Sequence, residues 1–420
     1  MFFQFGPHSG LLLPFVVPGT VATLWLLMRA VRRGAPADAL LALLIAVPTL
    51  NVSQWMLGYA GWFDSHDWHS TFMFYVPWRA IWLLGPGYFL YFRSLTNQEF
   101  RWRPLAWHLL PGVLELGAFA AVAAYDLLWC RAVRGQALPD FYGTKGAAAS
   151  AFDGLYLPEL LLGYALLLGY GLRLLADYRR YRHYLNDNFS DPERLRFAGL
   201  RQLLALQALV LTLGLVFTVL DRVYDFSYDT AWYFFALRGV LIYGLIVVGI
   251  QANYAAATSP LRFGAAAVPE EAAPEPPAAG PATAVAMGEP EPATPAATPE
   301  PTATLPPELL PLREKLLALM AADQPWLEPE LTLTELAQRL HTPAGVLSKV
   351  INAGCGQNFN DFVNTYRVAE ARRKLADPRF GHYSLLGVAL ESGFNSKSTF
   401  NRVFKKLTGQ APGEVARPNL

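Results

Sequence analysis

The chain has 420 residues, 53% of them hydrophobic and only 16% charged, with a mean hydropathy of +0.24 and a formal net charge of +1. Soluble domains carry about 25% charged residues, so a uniformly water-exposed globule is excluded, and the near-neutral total averages unlike parts and says nothing about partners. The two cysteines, Cys130 and Cys355, fall in different parts of the chain and form neither a CxxC nor a zinc-ligand pattern, which argues against a disulfide scaffold.

From residue 10 to residue 254 the sequence is a succession of apolar runs of bilayer-spanning length. The N-terminal MFFQFGPHSG holds no Lys or Arg, so the first run is expected to stay as a span rather than be cleaved as a signal. Seven spans are predicted, at 11–31, 38–60, 72–94, 105–127, 154–176, 201–220 and 231–252. Helices satisfy their own backbone groups in lipid, which makes them the expected form.

The basic residues of the loops set an orientation. Arg29, Arg32 and Arg33 follow span 1, and Arg93, Arg101 and Arg103 follow span 3. Arg173, Arg179, Arg180, Arg182, Arg194 and Arg196 follow span 5. The loops FDSHDWHS and DRVYDFSYD, after spans 2 and 6, are acidic. Only the loop after span 4, with Arg131, Arg134 and Lys145, is mixed. This alternation predicts an N-terminus outside, everything after residue 254 in the cytoplasm, and the two cysteines on opposite sides of the membrane.

Ionisable residues inside spans are rare and tend to be functional. Away from the span ends they are Arg79, Glu115, Glu159 and Arg238. Two cations and two anions at similar depth are expected to form an interior polar cluster. Structural ion pairing between helices, an outward-open pocket for a polar or charged ligand, and interfacial snorkelling all remain open. Asn51, Ser53 and Gln54 are placed to join such a cluster. Asp64, His66, Asp67 and His69 of the outer loop are metal-capable, but their spacing matches no defined site, and no metal is expected.

Residues 255–307 shift to Ala, Pro, Thr and Glu, with no aromatic after Phe263 and no Lys or Arg between Arg262 and Arg313. Such a segment lacks the apolar surface to fold and is expected to be a disordered tether. Its reach is on the order of 40 Å as a coil and about 140 Å if polyproline-like.

Residues 308–420 return to ordinary composition, with fourteen Lys and Arg against eleven Asp and Glu. A first amphipathic helix is predicted at 309–323. Thr332 and Glu335 then make a capping-box start, followed by a helix at 333–340, a break at His341 and Thr342, and a second helix opening near Pro343. Two short helices so joined fit a helix-turn-helix at about 333–351. The pattern returns about 52 residues later, Ala389 corresponding to Ala337, with a helix at 384–392, a break at Gly393 and a helix at about 396–407. Phe394, Phe400, Val403 and Phe404 are expected inside. Asn395 belongs to the reading end, and Ser396, Lys397, Ser398, Asn401, Arg402 and Lys405 are left for the outer face. Hydroxyls, amides and cations of this kind contact base edges and phosphates. Between the two units a long helix is predicted, with Phe359, Phe362, Val363, Tyr366, Val368, Ala369 and Leu375 available inward.

The stretches INAGCGQNFNDFVNTYRVAEARRKLADP (351–378) and ESGFNSKSTFNRVFKKLTGQAPGEV (391–415) resemble the AraC/XylS-type DNA-binding domain, and the resemblance covers 308–420. The closing Gly409 and Pro412 are present, although the following GEVARPNL lacks the family's usual tyrosine and arginine. The resemblance implies two helix-turn-helix units joined by one helix, with recognition helices in successive major grooves. Carried over, the first recognition helix is 343–351, exposing Ala344, Gly345, Ser348 and Lys349, and the second is 396–406. Residues 85–111 and 178–204 resemble, more loosely, the seven-span module that precedes such domains in some bacterial regulators.

The expectation is an all-α chain: a polytopic seven-helix membrane domain at 1–254, a linker at 255–307 and a double helix-turn-helix domain at 308–420. No phosphate loop, kinase signature, nucleophile elbow or metalloprotease motif is present, so no catalytic residue and no cofactor is expected. The expected partners are promoter DNA, the lipid bilayer of a bacterial inner membrane, a second copy of the chain on DNA, and an unidentified signal. A transporter-like membrane protein with a regulatory DNA-binding tail is the alternative, with Pro48, Pro77, Pro86 and Pro158 as places where spans could break.

Overall fold

The computed structural model describes residues 4–97, 100–192, 198–251 and 305–415. Of the expected linker only 305–307 fall inside these ranges; the rest lies outside the described residues. Among the described residues the regular structure is helical, with no strand. The chain divides into two units, residues 1–181 with 197–262, and residues 182–196 with 263–420.

In the first unit the long helices are Leu13–Arg33 (α1), Pro36–Tyr59 (α2), Leu84–Thr96 (α3), Leu110–Ala123 (α4), Tyr156–Asn188 (α5, which runs past the unit's boundary), Ala198–Tyr224 (α6) and Tyr228–Gln251 (α7). Among the described residues five helical stretches are long and apolar enough to cross a membrane: Pro7–Arg33, Pro36–Tyr59, Arg103–Val133, Tyr156–Asn188 and Tyr228–Val247. Helix α2 is central, with Leu40, Leu41, Leu44, Ile45 and Val52 fully buried. Helix α3 is buried on every face through Tyr88, Phe89, Leu90, Tyr91 and Phe92. Gly19 of α1 lets that helix close on α2, since a Cβ there would meet Thr49 Oγ1 at 2.3 Å. Where α1 turns into α2 at Gly34 (φ 61°), Arg29 Nε donates to the buried Asp38 at 2.6 Å. Large apolar side chains cover the outer faces: Val21, Leu24, Leu128, Leu172 and Val219 are each 60% exposed or more.

The third expected span is not one helix. Trp68–Tyr75 stops at Val76, whose ψ of 132° is extended, and helix resumes only at Ile81. Pro77 explains the stop, because proline disfavours helical geometry in the residue before it and cannot supply an N–H. The Trp78 indole fastens the break by donating to the Met73 carbonyl at 3.0 Å. The fourth expected span also departs from one plain α-helix: it runs as a 3-10 turn at Arg103–Leu109, then α4, then a π-helical end at Ala124–Val133.

In the second unit the helices are Leu310–Ala322 (α8), Leu333–Arg339 (α9), Ala344–Cys355 (α10), Phe359–Ala376 (α11), Leu385–Glu391 (α12) and Lys397–Thr408 (α13). Two cores form. Leu316, Met320, Trp326, Leu336, Leu347 and Val350 join the first half of α11, through Phe359, Phe362 and Val363. Val388, Ala389, Phe394, Phe400, Val403 and Phe404 join its second half, through Val368 and Ala371. Ala369 is exposed rather than inward. At 100° per residue it falls off the stripe defined by Val368 and Ala371. Three polar residues of α11, Asn364, Arg367 and Lys374, are buried instead.

Candidate nucleic-acid interface

Each half of the second unit builds a pair of helices around a sharp turn. In the first, Thr332 Oγ1 accepts the Glu335 N–H at 3.2 Å, and Glu335 accepts the Thr332 N–H at 2.8 Å, closing the capping box. The turn places His341 at φ 51°. Pro343 is the N-cap of α10 rather than its first residue, and α10 continues four residues past 351, to Cys355, ending at Gly356 with φ 67°. In the second half Ser384 caps α12 and Ser396 caps α13 by accepting the Thr399 N–H at 3.2 Å. Its turn places Gly393 at φ 83°. His341 and Gly393 are 52 residues apart, so the internal repeat extends to the left-handed residue of each turn.

Helix α13 is strongly two-faced. Thr399, Phe400, Val403 and Phe404 are buried, while Lys397, Ser398, Asn401, Arg402 and Lys405 are exposed. Ser396 is half-buried by its capping role. The Asn395 side-chain amide donates to Asp191 Oδ2 at 3.0 Å and to the Pro329 carbonyl at 3.3 Å. On α10, Gly345 and Lys349 are exposed; Ser348 is half-buried and accepts from Asn352 at 3.3 Å. Ala344 packs against the first core. The cationic and hydroxyl-rich face is therefore concentrated on α13, and α10 offers a smaller, flatter one.

The two halves are locked through α11. Arg367, 1% exposed, donates from Nε to the Trp326 carbonyl and from Nη2 to the Glu328 carbonyl, both at 2.7 Å. Its Nη2 also reaches Ser190 Oγ at 3.1 Å. Burial pushes this guanidinium down from the ordinary arginine range to about 10. Lys374 donates to the Glu391 carbonyl at the end of α12, a favourable place for a cation. The segment 182–196 belongs to this unit: Ser190 N–H donates to the Leu331 carbonyl at 3.1 Å, and Asn360 donates to the Ser190 carbonyl at 2.6 Å. No sequence signal announced this attachment, because its partners lie more than 130 residues away.

Of the four ionisable residues expected in the spans, the structure pairs two. Arg79 Nη2 lies 3.5 Å from Glu159 Oε2 and its guanidinium sits over the Tyr156 ring at 4.4 Å. Glu115, 3% exposed, accepts the Trp82 backbone N–H at 3.0 Å, capping the short turn that follows the break in the third expected span. Arg238 donates to Asn51 Oδ1. Arg79, Glu159, Arg238, Asn51 and Gln54 all line one cavity of about 560 Å³; Glu115 and Ser53 do not. In the loop after α2, Asp67 caps the helix Trp68–Tyr75, and bonds from Ser65 and His69 hold its carboxyl down at about 2. Among the described residues no group of His, Cys, Asp and Glu is arranged to hold a metal.

Two helix pairs of this geometry on one connecting helix define a double helix-turn-helix, a DNA-binding class. Residues 336–418 match the family described as Helix-turn-helix domain, and the C-terminal part of the chain is a DNA-binding regulator domain of the AraC type. It is similar to the uncharacterized HTH-type transcriptional regulator YtdP of Bacillus subtilis (strain 168), 35% identical over 86 residues, which are 20% of this chain and 11% of the relative. An uncharacterized HTH-type transcriptional regulator of Staphylococcus aureus (strain COL) is 32% identical over 83 residues, again 20% and 11% of the two chains. The chain thus spans about a tenth of the length of the curated relatives it matches. No solved structure matches it.

Proposed function

We propose that the chain is a membrane-tethered transcriptional regulator, in which the helices of the first unit cross a bacterial inner membrane and sense a signal, and the C-terminal domain reads a promoter from the cytoplasm. The observation that carries the reading is the coexistence in one chain of two opposite surfaces. Helix α13 turns Lys397, Asn401, Arg402 and Lys405 to water. The first unit leaves Val21, Leu24, Leu128 and Val219 uncovered on its helices, where a water-facing protein would suffer the full cost of apolar exposure. Lipid covers such faces at no cost. The basic loops after spans 1, 3 and 5 support an N-terminus outside and the reader inside. Lys397, Arg402 and Lys405 supply phosphate contacts; Ser398 and Asn401 stand where the N-terminal half of a recognition helix meets base edges. The functional residues on this reading bind and position, and no catalytic group or cofactor is required. Two copies held on one membrane surface would pair on DNA at a raised local concentration.

Chromatin immunoprecipitation with sequencing on the wild type and on a Lys397→Ala/Arg402→Ala double variant, alongside membrane fractionation, tests the proposal. Discrete genomic sites for the wild type, lost in the variant, with both proteins in the membrane fraction, are expected. Absence of sites for the wild type, or its recovery in the soluble fraction, refutes it. A transporter-like role is the second reading, favoured by the break at Val76–Ala80 beside a cavity; substrate uptake dependent on Arg79 but not on Lys397 would select it.

A further inference from the structure

The cavity of the first unit holds one guanidinium, that of Arg238, with no ion-pair partner among the described residues. Arg238 is the eleventh residue of α7, about 15 Å along that helix at 1.5 Å per residue. Its polar contact is with the Asn51 amide oxygen, and its guanidinium stands 5.3 Å over the Phe234 ring. Among the described residues no carboxylate lies at ion-pair distance from it. Glu159 is committed to Arg79 at 3.5 Å, and Asp153, another lining residue, pairs with Lys145. Asp221, also in the lining, is exposed near the end of α6. A guanidinium held by one amide in a half-buried, low-dielectric site is short of counter-charge.

Apart from its polar groups, the lining mixes aliphatic side chains such as Leu44, Val47 and Leu241 with a cluster of aromatic rings. Trp55 stacks on Phe235 at 4.0 Å between centroids and on Tyr228 at 5.0 Å. Phe217 stacks on Phe234 at 4.0 Å. A volume of about 560 Å³ lies in the range of small-molecule sites, which combine apolar walls with few polar anchors.

We propose that this cavity binds a monoanionic aromatic carboxylate, its carboxylate on Arg238 and Asn51 and its ring against Trp55 and Phe235. The proposal rests on the sensor reading of the first unit and names its ligand class. One cation with no carboxylate at ion-pair distance among the described residues calls for one negative charge. A phosphate monoester would bring nearly two, against a lining that already holds Asp153, Glu159 and Asp221. Carboxylate also matches the planar fork of a guanidinium.

Isothermal titration calorimetry on the purified full chain in detergent micelles tests this with three probes: naphthoate, naphthyl phosphate and the neutral naphthalenemethanol. Wild type is expected to bind naphthoate at least about tenfold more tightly than either of the other two. Arg238→Gln should remove the preference, and Arg238→Lys should keep most of it. Thermal melting of each variant separates a lost site from a lost fold, with Asn51→Ala as a second probe of the anchor that keeps the charge. Equal binding of the three probes by wild type, or a naphthoate preference that survives in a folded Arg238→Gln, overturns the proposal. Because the readout is binding, it stands or falls independently of any transcriptional response. Naphthoate binding with unchanged promoter occupancy would uphold the site while counting against the sensor role.

Discussion

Gly393→Ala puts the double helix-turn-helix under its most specific local stress. Gly393 sits at φ 83°, where an L side chain costs about 1–2 kcal/mol. The added Cβ would also lie 2.4 Å from the Trp326 carbonyl oxygen and 3.0 Å from Leu327 Cα. Both are backbone atoms, so relief requires a main-chain shift, an overpacking cost of about 1–3 kcal/mol. The Trp326 carbonyl is also an acceptor of Arg367, so the shift strains that bond as well. The sum is a loss of about 2–5 kcal/mol. Pulse proteolysis of the full chain across a urea series, followed by immunoblot of a C-terminal tag, reads the stability of this unit in place. With a urea slope of about 1–3 kcal/mol per molar, the midpoint should fall by roughly 1–3 M. His341→Gly at the equivalent turn is the control: a side chain already tolerates φ 51° there, so stability should change by no more than about 1 kcal/mol. A Gly393→Ala midpoint within about 0.3 M of wild type would refute the reasoning.

The same proteolysis assay should show Arg367→Met destabilised by about 2–4 kcal/mol, since the Trp326 and Glu328 carbonyls lose a charged donor, partly offset by the desolvation no longer imposed on the guanidinium; a neutral result would mean that water replaces the donor. Removing Lys397, Arg402 and Lys405 together should reduce the slope of log binding constant against log salt on random-sequence DNA by about 2–3, near 0.9 per lost phosphate contact; an unchanged slope would place the DNA elsewhere. The Asp377 carboxyl is lowered from 3.8 to about 2 by bonds from Arg379. Its contribution is therefore present above 3.8 and lost as pH falls from there through about 2. Pepsin pulse proteolysis should accordingly separate wild type from Asp377→Asn at about pH 4.5 and not at about pH 2, whereas a gap that widens on acidification would contradict this sign.

The second unit was legible in detail because its signals are local. Capping residues, a glycine at each turn or its stand-in, and a 3.6-residue apolar stripe set both helix pairs to within a few residues. What escaped was long-range or broke the pattern. Arg367 and Lys374 are buried cations on α11, satisfied by carbonyls distant in sequence, and a hydrophobic stripe does not register them. The attachment of Ser190 and Asp191 depends on pairing across more than 130 residues. In the first unit the apolar runs were plain, but the break after Tyr75 depends on Pro77, which sequence alone left as one of several prolines that could interrupt a span. The four ionisable residues of the expected spans stand out in the sequence and are buried or half-buried in the structure, yet their pairing was not readable. Distance decides that Arg79 meets Glu159, that Glu115 caps Trp82, and that Arg238 is left with Asn51.

The most direct test of the account is selection of bound sequences from random double-stranded DNA by the full chain reconstituted in lipid nanodiscs, followed by footprinting of the winner. The account predicts an enriched sequence protected in two blocks about one helical turn, or 10 base pairs, apart, with the block assigned to α13 the more sharply defined and lost in Lys397→Ala/Arg402→Ala. A chain that inserts into the nanodisc and enriches no sequence, or protects one block unaffected by that variant, would contradict it.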